Sequence, residues 1–243
     1  MAEELFDLVD ERGDRTGATA PRSIVHADGL GHRAVHIWLS CPATGEILLQ
    51  RRAACKDSWP RRWDISCAGH LSAGDSSRVA AERELQEELG LSFAPARFEY
   101  LMTHHEHLSS IQRGRKFTNN EFNDVFLIEV SKEERACLDP ARLLQPRTVD
   151  VDTAPEVLRF SLQKEEVSEV AWFPWQRVRD MYADACTAVV ELPGGRSELI
   201  SAATATTPTH NSASTKDDNM IVPLSGWAHY AGVFDIIAAR CRH

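Results

Sequence analysis

Residues 69–91 read GHLSAGDSSRVAAERELQEELGL, and this stretch constrains the fold more than any other. It reads as one helix, from about Asp75 to Leu89, set between two glycine-marked turns. Asp75 is the expected N-cap, where a carboxylate complements the helix dipole, and Gly90 suits the left-handed position after the last turn. Positions i, i+3 and i+4 share a helix face, so Glu84, Glu87 and Glu88 project together. Three carboxylates on one face repel one another. A hard divalent cation, Mg²⁺ or Mn²⁺, relieves that repulsion with oxygen ligands. Arg83 can brace Glu87 across one turn. A lone acidic stripe of this kind also occurs as a solvated helix face, so the pattern has to be weighed with its surroundings.

The surroundings match a longer spacing, G-x5-E-x7-R-E-U-x-E-E-x-G-U, where U is a bulky aliphatic residue. Gly69, Arg83, Glu84, Leu85, Glu87, Glu88, Gly90 and Leu91 fit it, and Asp75 stands where the pattern has Glu. The chain therefore resembles the Nudix superfamily. The resemblance implies an α/β Nudix fold, a mixed β-sheet sandwiched between helices. It also implies that the box helix carries the metal and that the chemistry is cleavage of a diphosphate linkage.

The flanks narrow the resemblance. HRAVHIWL (32–39), LLQRRAACKDSWPRRWDISCAGH (48–70), NNEFNDVF (119–126) and LQKEEVSEV (162–170) are similar to isopentenyl-diphosphate isomerases and the plant Nudix domains related to them. Isomerases of that branch hold a metal through three histidines and two glutamates. By this resemblance His26, His32 and His70 fall at the histidine positions and Glu121 at one glutamate position, with Asn119 at the other. Arg22, Arg52 and Lys56 fall where isomerases grip the substrate diphosphate, a task that suits guanidinium and ammonium groups. Each also has a plain structural reading: the histidines as loop residues, Arg51 and Arg52 as the solvated end of a strand. The isomerases move protons at carbon with a cysteine and a glutamate. At that cysteine position this chain has Ala68, and Cys67 sits one residue earlier. A one-residue shift on a strand turns a side chain to the other face unless a bulge intervenes.

Composition bounds the rest. The chain has 243 residues, a net charge of −9 and no basic block, so binding to nucleic acid through clustered phosphate contacts is not expected. Six cysteines without CxxC spacing suggest free thiols in a reduced, cytoplasmic compartment. No targeting signal and no run long enough to span a membrane stand out. Strands are expected at 6–11, 32–41, 46–51, 63–69, 97–108, 121–130 and 167–175, with a closing helix over 227–241. Residues 1–243 read as one domain. Insertions are expected at 131–158, with a short helix and a loop, and at 193–219, whose small polar residues suggest a mobile loop.

The sequence thus points to a Mg²⁺- or Mn²⁺-dependent hydrolase of a small organic diphosphate. Glu84, Glu87, Glu88 and Glu121 are the candidate metal ligands and bases, braced by Arg83. Arg52, Lys56 and Arg22 would clamp the phosphates. The isomerase alternative uses Cys67 and Glu121 for proton transfer, with His26, His32 and His70 holding its metal. A third alternative is a non-catalytic module that binds a diphosphate. Oligomeric state and the organic group are not legible.

Overall fold

The structure, a computed structural model, describes residues 3–56, 58–112, 115–144, 158–186, 189–192, 196–199 and 221–241. Strand β3 (His32–Cys41) is its axis. β3 alternates as a strand buried on both faces should. Val35, Ile37, Leu39 and Cys41 are fully buried on one face, while Ala34, His36 and Trp38 turn to the other.

Nine strands form the main sheet. β10 (Val189–Leu192), β11 (Arg196–Leu199), β7 (Glu99–Gln112), β8 (Arg115–Glu129), β3, β4 (Glu46–Arg52) and β5 (Trp63–Asp64) run in that spatial order, with β6 (Cys67–His70) on β3 and β9 (Val167–Pro174) on β4. β3 runs parallel to β8, from His32↔Glu121 to Ser40↔Glu129. Its other edge is shared. β4 pairs with its last residues, at Ser40↔Ile47 and Cys41↔Glu46, and β6 with its first half, from Ala34↔His70 to Ile37↔Cys67. Where those partners part, Ser66 Oγ donates to the Leu48 carbonyl at 2.6 Å and accepts from the Leu39 N–H at 2.9 Å. That hydroxyl satisfies backbone groups that would otherwise be buried unpaired.

One face of the sheet is covered by the box helix α2 (Ser77–Leu89), which packs Ala80, Ala81, Leu85 and Leu89 onto Val35, Ile37 and Leu39. The other is covered by α4 (Trp175–Cys186), α5 (Trp227–Tyr230) and α6 (Gly232–Arg240), which pack Tyr182, Tyr230, Val233 and Phe234 around Trp38 and Ile47. The mixed sheet between helices is the expected arrangement. A separate hairpin, β1 (Leu5–Val9) with β2 (Arg15–Pro21), leads into α1 (Arg22–Asp28) and packs Phe6, Ala20 and Val25 together.

Several local readings need correction. Ser76, not Asp75, caps the box helix, its side chain accepting from the Val79 N–H. Gly90 does take the left-handed conformation, at φ 70°. Gly69 lies within β6, opposite Val35, as the strand reading of 63–69 expects, and the turn before the helix stands at Gly74, φ 92°. β2 was not expected, because RTGATAP carries little apolar alternation. The 63–69 stretch is two short strands, since Ile65 and Ser66 carry the chain from β4 across to β3. The closing helix is broken at Ala231 into α5 and α6. In 131–158 there is a short helix, α3 (Lys132–Cys137), and a 3₁₀ turn at Pro140–Leu144, while 145–157 lie outside the described residues. In 193–219 the stretch Arg196–Leu199 is strand β11, paired parallel with β7, and the remaining positions lie outside the described residues. Among the described residues no helix is long and apolar enough to cross a membrane.

Candidate active site

The box helix presents its acidic face to a cleft of about 320 Å³. Glu84, Glu87 and Glu88 all line it, as do Arg22, Arg52, Lys56, His26, His70, Arg83 and Glu121. Burial decides the character of the carboxylates. It raises Glu84 to about 7, against the pull of Arg83, and raises Glu88 to about 8 with help from the Glu84 charge. Glu88 Oε2 is buried with no hydrogen-bond partner. Glu87 stands at the exposed rim. Arg83 ties the group together. It reaches Glu84 at 2.8 Å, the His70 carbonyl at 3.0 Å and Glu87 at 3.6 Å. The expected brace to Glu87 is therefore present, but the shorter bond is to Glu84. The box glycine is explained by the same geometry. A Cβ on Gly69 would collide with the Glu84 carboxyl group, so only glycine lets the helix bring that carboxylate down onto β6.

A second cluster faces the first across His70. One ligand atom each from His26, His32, His70 and Glu121 lies within 4.8 Å of the others. α1 supplies His26, the start of β3 His32, the end of β6 His70, and β8 Glu121. The parallel register sets His32 opposite Glu121, and the antiparallel register sets His70 opposite Ala34, two residues further on. Phe6 stacks on His70 and His32, at 4.7 and 5.4 Å between ring centroids, and Phe117 stacks on His26 at 4.5 Å. The N-terminal hairpin thus closes the site.

The donor set fits a divalent cation. Both ring nitrogens of His26 are buried without partners. His32 faces acceptors at both ends, the Leu30 carbonyl at 3.0 Å from Nδ1 and Glu121 Oε1 at 3.2 Å from Nε2. A cation held by this cluster would take one nitrogen of His26 and Nε2 of His32, with the Leu30 carbonyl fixing the His32 tautomer as outer partners of metal-bound histidines do. Burial lowers His26 to about 3 and His70 to about 4, which keeps their nitrogens free as ligands. Burial alone would raise Glu121, but the hydrogen bonds from His32 and His70 win and hold it well below the ordinary carboxylate range. Three nitrogens and one oxygen suit a softer ion than the all-oxygen face of α2 does.

The cationic wall is already engaged. Arg52 donates to Asp64 at 3.1 Å and to the Ser58 carbonyl and hydroxyl at 3.0 Å each. Lys56 pairs with Glu166, and Arg22 with Glu4 at 3.5 Å. The turn beside them is strained: Trp59 and Arg61, on either side of Pro60, hold positive φ of 50° and 64°. It delivers Trp59 to the cleft, whereas Trp63 is buried in the core.

Cys67 does not itself line the cleft, although its side chain is hydrogen-bonded to Glu88, which does. The β3–β6 ladder is regular from Ala34↔His70 to Ile37↔Cys67, with no bulge. Cys67 is fully buried in the layer beneath α2, where burial and the nearby Glu88 and Glu84 push its thiol well above its ordinary range. Ala68 lines the cleft instead. Sequence reasoning missed Glu106 and His36. Glu106 is buried opposite Glu121 on the β7–β8 ladder and raised to about 8 by burial and the Glu121 charge. The alternation of THHEHL carried the signal for it. His104, His105 and His107 do not line the cleft; His104 Nε2 donates to the Ser225 carbonyl at 2.8 Å.

A family model described as the NUDIX domain matches residues 30–189. The chain belongs to the Nudix family. Nudix hydrolase 3 of Arabidopsis thaliana is 36% identical over 242 residues, covering 100% of this chain, which spans only 24% of that relative. An isopentenyl-diphosphate Delta-isomerase of Cutibacterium acnes is 29% identical over 177 residues, 72% of this chain and 75% of its own. Among solved structures, DR0079 of Deinococcus radiodurans aligns with 74% of this chain and 90% of its own, at 18% identity and a TM-score of 0.48. The matched stretch leaves out β1, β2 and α1, so Arg22, His26 and Phe6 reach the Nudix cleft from outside it.

Proposed function

We propose that the protein is a Mg²⁺- or Mn²⁺-dependent hydrolase that cleaves the diphosphate linkage of a small organic diphosphate, with 1–243 acting as one Nudix domain. The observation that carries this reading is the cleft wall itself, where Glu84 and Glu88 face inward with Glu87 at the rim, while the position of the isomerase cysteine holds Ala68. Glu84, Glu87 and Glu88 would hold the metal. When bound there, a divalent ion neutralises charge building on the phosphates and lowers the pKa of water. Arg83 keeps Glu84 and Glu87 in place. Arg52, Lys56 and Arg22 orient the diphosphate, with Lys56 exchanging Glu166 for a phosphate oxygen. A carboxylate of the box, or Glu121, takes the proton from water.

The histidine cluster supports a second reading, isopentenyl-diphosphate isomerisation, with a metal on His26, His32, His70 and Glu121. In that reading Cys67 would have to act from its buried position. A third, a non-catalytic diphosphate-binding module, leaves the three box carboxylates without a task. A panel of prenyl, nucleoside, thiamine and sugar diphosphates with Mg²⁺ and Mn²⁺, scored for phosphate release and for double-bond migration, separates the three. Phosphate release is expected. Migration of the double bond without release would replace hydrolysis by isomerisation, and binding without either reaction would leave the module.

A further inference from the structure

His36 sits on the cleft side of β3, opposite Ala68 on β6. Its Nδ1 lies 3.0 Å from the Tyr230 hydroxyl, and the Trp38 indole N–H donates to that same oxygen at 3.0 Å. Tyr230 and Trp38 are fully buried. An indole N–H can only donate, so it occupies a lone pair of the hydroxyl. The hydroxyl has one proton of its own, and His36 Nδ1 is the acceptor the described residues offer it. A buried hydroxyl with an unpaired proton is costly, so that proton goes to Nδ1. The imidazole must then carry its own proton on Nε2. Burial keeps the ring neutral, lowering it to about 3. His36 is thus locked as a single tautomer whose remaining polar group is the Nε2–H, on a residue that lines the cleft.

The floor leading to it is shallow. Between His32 at one end and His36 at the other lies Ala34, flanked by Ala68, and four residues of strand span about 13 Å. That run is long enough for a diphosphate with a short organic group reaching His36. A bare hydrocarbon there would cover the N–H and leave it unpaired, a cost that sites built for a hydrogen bond use to reject analogues lacking it.

We infer that His36 is a specificity-determining residue that donates a hydrogen bond to the organic part of the substrate, so the substrate class is a small diphosphate bearing an acceptor (a hydroxyl, carbonyl or ring nitrogen) rather than a plain hydrocarbon chain. The inference rests on the diphosphate reading of the cleft. The test uses two five-carbon allylic diphosphates, dimethylallyl diphosphate and its 4-hydroxy derivative, which differ by one acceptor. Their Kd values are measured by calorimetry on the full chain with Ca²⁺ in place of Mg²⁺, and their kcat/KM values with Mg²⁺. The hydroxylated ligand is expected to be favoured about tenfold. In His36→Phe the ratio falls to near one, and His36→Gln, which keeps an N–H donor, restores most of it. Melting curves show whether each variant is folded, and the Gln variant carries the test should the Phe variant not be. A wild-type ratio of one, or a ratio that survives in the folded His36→Phe protein, overturns the inference. Discrimination in binding with no phosphate release from either compound or from the wider panel sinks the hydrolase reading and leaves this one standing; equal binding and equal turnover of both do the reverse.

Discussion

The two walls of the cleft are built in opposite ways. The carboxylate wall comes from one helical turn: Glu84, Glu87 and Glu88 share a face because of helix geometry, and Arg83 adjoins them in sequence. The histidine wall is assembled from four separate elements: the β3–β8 and β3–β6 registers bring His32, His70 and Glu121 together, and α1 adds His26. Burial drives the two in opposite directions. It raises the box carboxyls toward neutrality and lowers the histidines, so each wall resists charge until something shares it. A local motif can therefore be read along the chain, while a tertiary cluster has to be inferred from resemblance or seen.

The strongest way to break this contrast is Glu88→Gln. It removes one ligand charge from the helical wall while preserving shape, so phosphate release is expected to fall by about 10²–10⁴-fold with circular dichroism unchanged. Activity close to wild type would mean that the histidine wall alone carries the chemistry. Gly69→Ala is the next largest. The added methyl must push Glu84 away from β6, and a displacement near 1 Å at a reacting centre costs about 10²-fold. Wild-type turnover in that variant would show that Glu84 need not approach β6.

A smaller effect sharpens the comparison through pH. With metal removed, the raised carboxyls bind more protons folded than unfolded, so they cost stability as pH rises from about 4.5 through 7 for Glu84 and 8 for Glu88. The depressed histidines have the opposite sign: they bind fewer protons folded, so their contribution is present above 6.5 and lost as pH falls toward 4 for His70 and 3 for His26. Between pH 6.5 and 8 only the carboxyl effect remains. Melting temperature in a chelator should fall over that window in the wild type and fall less in Glu88→Gln. A rising curve there would invert the assignment. The smallest effect belongs to Cys67→Ala, which trims a buried side chain outside the cleft wall. Diphosphate hydrolysis should stay within about 3-fold, at a stability cost near 1 kcal/mol for a small cavity. Loss of a double-bond migration in this variant would instead place the thiol in the chemistry.

The helix of 77–89, its buried Leu85 and Leu89 and its inward glutamates were legible in the sequence because helical period and a left-handed Gly90 are local properties. β3 was legible in a similar way, as a stretch rich in Val, Ile and Trp. What escaped was whatever depends on partners far along the chain. Gly69 was placed on a strand, but nothing local reveals that Glu84 will press against it. Glu106 and His36 carried no motif; the β7–β8 register gave one its place opposite Glu121, and the Tyr230 hydroxyl of a distant helix gave the other its tautomer.

By itself, then, the sequence determined the box helix and the axis of the sheet and named candidates to hold a cation, since these follow from periodicity and side-chain chemistry over a few turns. Only the tertiary structure decided that Ala68 rather than Cys67 lines the cleft, that His26 joins His32 and His70 from outside the matched domain, and which proton His36 presents. Those outcomes turn on strand register and on hydrogen bonds between residues as much as 194 positions apart, and no local pattern encodes them.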